Sequence, residues 1–308
     1  MMRAVVFGYH NVGVRCLAVL LAHRVEVPLV VTHRDAPGEK LWFARLADFA
    51  AEHDIDTAFP EDPNAPALAA RVEELRPDFV FSFYYRRMLG ERLLAAPRRG
   101  ALNMHGSLLP KYRGRAPVNW AVIMGETETG ASLHYMTAKP DAGAIVAQQR
   151  VPILPEDTAR EVFDKVTLAA EMTLDRALPE LVTGRAAGVA QDLEAGSYYG
   201  ARRPEDGRID WRKGAREIHN LVRGVAPPYP GAFASIRGVP LRILRTLLEA
   251  PRAARAPAPA LYAEGGRCYA ECVSGGRLRL LEFEIDGRAA GAAELEARFG
   301  AEAVPLDS

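Results

Sequence analysis

The sequence predicts an α/β fold: a Rossmann-like, doubly wound and mostly parallel sheet, followed by a small β-barrel. Three observations carry this. The chain opens on an apolar strand, Ala4 to Phe7, that passes through a glycine-bearing turn (Gly8, Gly13) into a helix-periodic stretch, Val14 to Ala22. Apolar strands and amphipathic helices then alternate as far as Leu181, the pattern of a sheet covered on both faces. Beyond Gly231, short strands separated by glycine turns replace that alternation.

In chain order, Val25 to Thr32 is the second strand, and Glu39 to His53 reads as a helix with Leu41, Phe43, Leu46, Ala47 and Ala50 inward. Ala65 to Leu75 is a helix stopped before Pro77, whose ring disfavours helical backbone at the preceding residue. Asp78 to Phe83 is a strand with Phe79, Phe81 and Phe83 on one face, running into the polar loop Tyr84 to Leu89. Ala101 to Met104 is a strand that breaks at Gly106. Ala116 to Met124 reads as a helix with Pro117 in its first turn, where proline is tolerated. Ala131 to Met136 and Gly143 to Gln149 are strands around a loop in which Pro140 and Gly143 bracket Asp141. Asp157 and Thr158 start the long helix Ala159 to Leu181. We expect a catalytic domain over 1–190, a linker over 191–207 and a second domain over 208–308. The second domain holds a helix to Arg223 and strands at Ala234–Arg237, Leu241–Leu244, Ala260–Glu264, Cys268–Val273 and Leu278–Phe283. Pro251 to Pro259, rich in Ala, Pro and Arg, is a disordered-loop candidate.

With 308 residues, 49% of them hydrophobic, the chain can build two modest cores. Lys plus Arg and Asp plus Glu number 39 each, and this balance argues against a nucleic-acid partner. Cys16, Cys268 and Cys272 suggest neither a disulfide framework nor a metal site, and no metal is expected. The first turn lacks the spacing of a dinucleotide fingerprint, which argues against a nicotinamide-dependent dehydrogenase. With no signal-peptide pattern and no long apolar run, a soluble cytoplasmic protein without membrane insertion is expected.

The chemistry concentrates at the strand ending in Asn103-Met104-His105. Alternate side chains share a face, so Asn103 and His105 point one way and Leu102 and Met104 the other. A carboxamide donor beside an imidazole suits attack on a carbonyl, the amide holding the oxyanion and the imidazole moving a proton.

The run His105-Gly106-Ser107-Leu108-Leu109-Pro110-Lys111-Tyr112-Arg113-Gly114-Arg115-Ala116-Pro117 resembles the central motif of 10-formyltetrahydrofolate-dependent formyltransferases. Gly125-Glu126-Thr127-Glu128-Thr129-Gly130 and Asp141-Ala142-Gly143-Ala144-Ile145-Val146-Ala147-Gln148 are similar to the family's next two blocks, in order. The resemblance implies catalytic roles for Asn103, His105 and Asp141, with Asp141 holding His105 and raising its pKa toward imidazolium. It implies 10-formyltetrahydrofolate as co-substrate, held by main-chain groups of Arg87, Met88 and Leu89, by Arg115, and by the loop Thr137, Ala138, Lys139, Pro140 and Asp141. It also implies that the C-terminal barrel is open and OB-like.

Within the family, His10-Asn11 with Gly13, Thr32-His33, Phe81-Ser82-Phe83-Tyr84-Tyr85-Arg86 and Lys111 to Trp120 resemble the branch found as one half of bifunctional polymyxin-resistance proteins. The resemblance covers roughly 3–245 and fades beyond. It implies N-formylation of UDP-4-amino-4-deoxy-L-arabinose for lipid A modification in lipopolysaccharide biosynthesis. Gly13, Lys111, Arg113 and Asn119 are the candidate contacts to that nucleotide sugar, and Arg113 with its neighbours could bind a diphosphate. The chain ends at Ser308 without room for the branch's decarboxylase domain, so a separate decarboxylase is expected upstream, and a homodimer is left open. Other readings are a methionyl-tRNA formyltransferase, a formyltransferase for another UDP- or dTDP-4-amino sugar, and a non-catalytic folate- or nucleotide-binding module.

Overall fold

The structure is a computed structural model that describes residues 2–35, 41–250, 259–273 and 276–307. The chain divides into two compact units. One comprises 1–117, 128–152 and 163–200; the other comprises 118–127, 153–162 and 201–308.

In chain order the elements up to residue 199 are β1 (Arg3–Gly8), α1 (His10–Ala22), β2 (Glu26–Val31), α2 (Leu46–Glu52), β3 (Asp56–Ala58), α3 (Pro66–Glu74), β4 (Phe79–Phe83), α4 (Glu91–Ala95), β5 (Gly100–His105), β6 (Arg113–Gly114), α5 (Pro117–Ile123), β7 (Glu128–Tyr135), β8 (Ile145–Pro152), α6 (Ala159–Thr183) and β9 (Tyr198–Tyr199). The main sheet has the order β3-β2-β1-β4-β5-β7-β8. Its first five strands run parallel, while β7 and β8 pair antiparallel. The order reverses between β1 and β4, which puts the loops after β1, β4 and β5 along one carboxyl edge.

The aromatic strand is core, as its alternation predicts: Phe79, Phe81 and Phe83 are all buried, with Phe79 tilted against Phe81 and Phe81 stacked on Phe83. Burial of each such ring contributes about 1.5–3 kcal/mol. Val5, Phe7, Leu29, Val31 and Val80 fill the opposite face with Leu68, Val72 and Leu93. The start of α6 is a capping box: Thr158 Oγ1 accepts the Glu161 N–H at 3.3 Å, and the Glu161 carboxylate accepts the Thr158 N–H at 2.7 Å.

The second unit continues with a 3₁₀ turn at Pro204–Gly207, α7 (Ala215–Val225), β10 (Ala232–Ile236), β11 (Val239–Glu249), β12 (Ala260–Glu264), β13 (Arg267–Glu271), β14 (Arg277–Ile285), β15 (Arg288–Ala289), α8 (Ala292–Phe299) and β16 (Val304–Pro305). Its strands form a curled antiparallel half-barrel, β10-β11-β14-β13-β12-β16, with β15 beside β14. Trp211, Ile218, Val222 and Phe283 lie in its core. Cys268 and Cys272 are buried free thiols; Cys268 lies in β13 and Cys272 just beyond its end.

One expectation changes. The helix placed over Glu39 to His53 begins only at Leu46, since Leu41 to Arg45 are not helical. Phe43 stacks on His10 at 3.8 Å between ring centres rather than lining a helix face. Residues 251–258 of the disordered-loop candidate lie outside the described residues. Among the described residues, no helix is long and apolar enough to cross a membrane.

Candidate active site

Asn103 and His105 share one face of β5, and β7 pairs beside β5 in the same sheet, with Asn103 opposite His134 and His105 opposite Ser132. The turn after β7 brings Asp141 over the same spot. Asp141 itself has φ +50, in the left-handed region that aspartate tolerates better than most residues. Gly143 is required there, because a Cβ would overlap the Tyr135 carbonyl oxygen. Gly114, at φ +97, is equally constrained against the Tyr199 carbonyl, and this close approach lets its N–H reach Asp141 Oδ2 at 2.8 Å.

The other carboxylate oxygen, Asp141 Oδ1, lies 3.5 Å from His105 Nδ1, 3.5 Å from His134 Nε2 and 3.4 Å from Asn103 Nδ2. The expected trio therefore meets, around one carboxylate oxygen. His105 Nε2 is 2.8 Å from the Tyr112 carbonyl, an acceptor, so Nε2 carries the ring proton and Nδ1 is the basic nitrogen facing Asp141. His134 Nδ1 donates to the Tyr135 carbonyl at 2.8 Å, which leaves Nε2 to accept from Asn103 Nδ2 at 3.1 Å.

Burial opposes ionisation of the Asp141 carboxyl, yet the charge that His105 and His134 carry when protonated, together with the Gly114 N–H, holds it well below the usual carboxylate range. Asp141 acts to raise the His105 pKa, as expected, but not far enough to favour imidazolium. Burial pushes the His105 imidazole down, and the charge of Asp141 is outweighed. The resting pair is thus a carboxylate beside a neutral imidazole: a base with its counter-charge already in place. Such an arrangement can take a proton from a nucleophile and stabilise the imidazolium that results.

The remaining candidates fall into groups. Arg87 and Met88 are exposed in the loop after β4, whereas Leu89 is buried. Arg115 is exposed and donates to the Arg86 carbonyl at 2.6 Å, tying the loop after β5 to that after β4. Thr137, Ala138 and Lys139 are exposed in the turn before Asp141, with Thr137 Oγ1 donating to the Lys139 carbonyl at 3.0 Å; Pro140 is half-buried. Gly13 is buried in the first turn of α1. Lys111 is exposed, but Arg113 is buried: Nη2 donates to the Leu193 carbonyl at 3.3 Å, and Nε has no hydrogen-bond partner. Asn119 is buried, with Nδ2 donating to the Gly224 carbonyl at 2.9 Å inside the second unit.

Two residues escaped the sequence reading. His134 was visible only as a strand residue, and its place opposite Asn103 depends on the β5–β7 register. Gln191, in the segment read as linker, donates from Nε2 to the Asp141 and Gly143 carbonyls at 2.9 and 2.6 Å and so fixes the turn. No group of three or more metal-ligating side chains occurs among the described residues.

A carboxylate, a neutral imidazole and a carboxamide at the carboxyl edge of a doubly wound sheet have the composition of a group-transfer site working by acid–base chemistry. The family of that name is specific: the formyl transferase model matches residues 3–178, and the formyl transferase C-terminal domain model matches 202–298. The chain belongs to the formyl transferase family and is a formyltransferase.

Its fold is similar to that of an N-formyltransferase from Helicobacter canadensis, solved with folinic acid and dTDP-3-aminofucose (TM-score 0.74, 20% identity, 91% of this chain and 99% of that one). It is also similar to a sugar 3-N-formyltransferase solved with dTDP and 5-N-formyl-THF (0.73, 20%, 91% and 97%). A third similar structure is HypX from Aquifex aeolicus with tetrahydrofolic acid (0.63, 17%), of which this chain covers 47%.

Proposed function

We propose that this protein is a cytoplasmic enzyme that transfers a formyl group from 10-formyltetrahydrofolate to the amino group of a nucleotide-linked amino sugar, UDP-4-amino-4-deoxy-L-arabinose being the first candidate. The observation that carries the reading is the meeting of Asn103, His105 and Asp141 around one ionised carboxylate. The similar sugar formyltransferases, matched over nearly their whole length and bound to a folate and a dTDP ligand, support the acceptor class.

The acceptor amine attacks the formyl carbon, and the carbonyl pair moves onto oxygen. His105 Nδ1 takes the amine proton, with Asp141 holding the imidazolium. Asn103 Nδ2 serves the oxyanion; its longer bond, 3.4 Å to Asp141, is the one that yields. The tetrahedral adduct then collapses, the bond to the folate N10 breaks, and the imidazolium returns the proton to that nitrogen. Main-chain groups of Arg87 to Leu89, with Arg115 and the turn Thr137 to Asp141, hold the folate. The buried Arg113 guanidinium, with its unpartnered Nε, supports an anionic group of the acceptor nearby, with Lys111, Gly13 and Asn119 as further contacts.

The test offers 10-formyltetrahydrofolate with UDP-4-amino-4-deoxy-L-arabinose, dTDP-3- and dTDP-4-amino sugars, and methionyl-tRNA in parallel. Asn103→Ala, His105→Ala and Asp141→Asn run beside the parent. Turnover of one sugar, lost in the variants, supports the reading and names the acceptor. Turnover of tRNA alone overturns the acceptor, and turnover of all four acceptors by His105→Ala overturns the site.

A further inference from the structure

The loop after β4 is pinned from outside by side chains that bond only to its main chain. Asn64, in the turn before α3, supplies two of these bonds: Oδ1 accepts the Gly90 N–H at 2.6 Å, and Nδ2 donates to the Met88 carbonyl at 3.1 Å. His33, just beyond β2, accepts the Arg86 N–H on Nε2 at 3.1 Å, and Arg115 holds the Arg86 carbonyl from the other side at 2.6 Å. Asn64 is itself set by a tight turn in which Asp62 Oδ1 accepts its N–H at 2.9 Å. Between these pins the N–H groups of Arg87, Met88 and Leu89 make no hydrogen bond to any described residue.

A row of unspent main-chain groups on a loop fixed at both ends can meet the donor and acceptor edge of a flat heterocycle. A loop that recognises through its main chain cannot be tuned by its own side chains, so its shape must be imposed by neighbours. Among the described residues, Asn64 bridges the second half of the loop, and the bridge needs a donor and an acceptor on one short side chain. A carboxamide meets that requirement; a carboxylate would set oxygen against the Met88 carbonyl, and alanine would supply neither bond.

We propose that Asn64 is a positioning residue for the pterin ring of the co-substrate, acting through the main chain of Arg87 to Leu89 and without touching the reacting atoms. The inference rests on the reading of this loop as the folate site. Asn64 is exposed, and its substitution leaves the core intact.

The probe is 5-formyltetrahydrofolate, whose binding is measured without acceptor by calorimetry, with the parent protein scored first. Asn64→Ala is expected to raise its Kd, and the KM for 10-formyltetrahydrofolate, about tenfold, since two neutral hydrogen bonds are lost. The kcat at saturating folate and the KM for the amino sugar should stay within about twofold. In Asn64→Asp the ionised carboxyl repels the Met88 carbonyl while the protonated form restores the donor. Binding relative to the parent should therefore recover between pH 7.5 and about 4, near the carboxyl pKa, and should not recover in Asn64→Ala. A parent that does not bind the probe overturns the folate reading of the loop, and this inference with it. A parent that binds and a folded Asn64→Ala that binds equally well overturn the positioning role alone, as does an equal rise in both KM values.

Discussion

The Asn103 carboxamide donates to the His134 imidazole, Nδ2 to Nε2, at 3.1 Å, across the pair of strands that carries the site. Because His134 Nδ1 is committed to the Tyr135 carbonyl, the tautomer is fixed, and the ring dictates which way Asn103 presents its two N–H groups. His134 is buried and its role is that of a brace. Replacing it by alanine should lower kcat by about 10- to 100-fold through misplacement of Asn103, leaving the KM values close to those of the parent. Steady-state kinetics check this; an unchanged kcat in a folded His134→Ala protein would remove His134 from the mechanism.

The neutral resting state of His105 sets the pH dependence of the reaction. Its folded pKa lies below the ordinary 6.5, so the basic form persists at pH 7 and kcat/KM should fall on the acid side only below 6.5. Asp141 acts to raise that pKa, so Asp141→Asn should shift the acid limb further down while cutting the rate, since the imidazolium loses its counter-charge. A pH–rate profile whose acid limb lies above 6.5, or moves up in Asp141→Asn, contradicts this electrostatic account.

The sequence exposed the parts of this molecule that are written locally. β1 with its glycine turn, the buried Phe79-Phe81-Phe83 face and the helix start at Asp157-Thr158 each follow from periodicity or from one short motif, and each is present. So does the shared face of Asn103 and His105, since alternation along a strand needs no partner. What could not be read was anything that depends on which strand lies next to which. His134 faces Asn103 because β7 pairs antiparallel with β5 in one particular register. Gln191 reaches Asp141 from 50 positions along the chain. The sign of the His105 shift was missed for a related reason: a carboxylate neighbour can be guessed from a motif, but how deeply the ring is buried cannot. α2 was drawn too long because Leu41 and Phe43 carry the apolar spacing of a helix, yet Phe43 packs on His10 instead.

His33 and His105 should make the fold sensitive to mild acid. Both have folded pKa values depressed below the unfolded value, His33 to about 4 by burial and by the charges of Arg86 and Arg87. The unfolded chain therefore binds more protons than the folded one below 6.5, and for His33 that window runs down to about 4. Their contribution to stability is complete above 6.5 and is lost as the pH falls below it. Thermal melts at pH 7.5 and 5 should show a lower Tm in acid, with a shallower fall in His33→Gln. Equal slopes for parent and variant would mean that His33 titrates alike in both states.

Gly143 offers a sharper test of how the site is assembled. The turn that carries Asp141 doubles back so tightly on β7 that a Cβ at Gly143 would overlap the Tyr135 carbonyl oxygen. The same turn is held by Gln191 through the carbonyls of Asp141 and Gly143. Gly143→Ala must therefore move the turn, and overpacking of this kind costs about 1–3 kcal/mol. The displaced segment includes Asp141, so activity should fall by more than the loss of stability explains, because at assay temperature most molecules remain folded. Gln191→Ala, which removes the two hydrogen bonds without any clash, should loosen the turn and reduce kcat in the same sense but by less. Melting curves set beside kcat for the two variants separate the effects: full activity in a folded Gly143→Ala protein would show that Asp141 does not need this turn to reach His105.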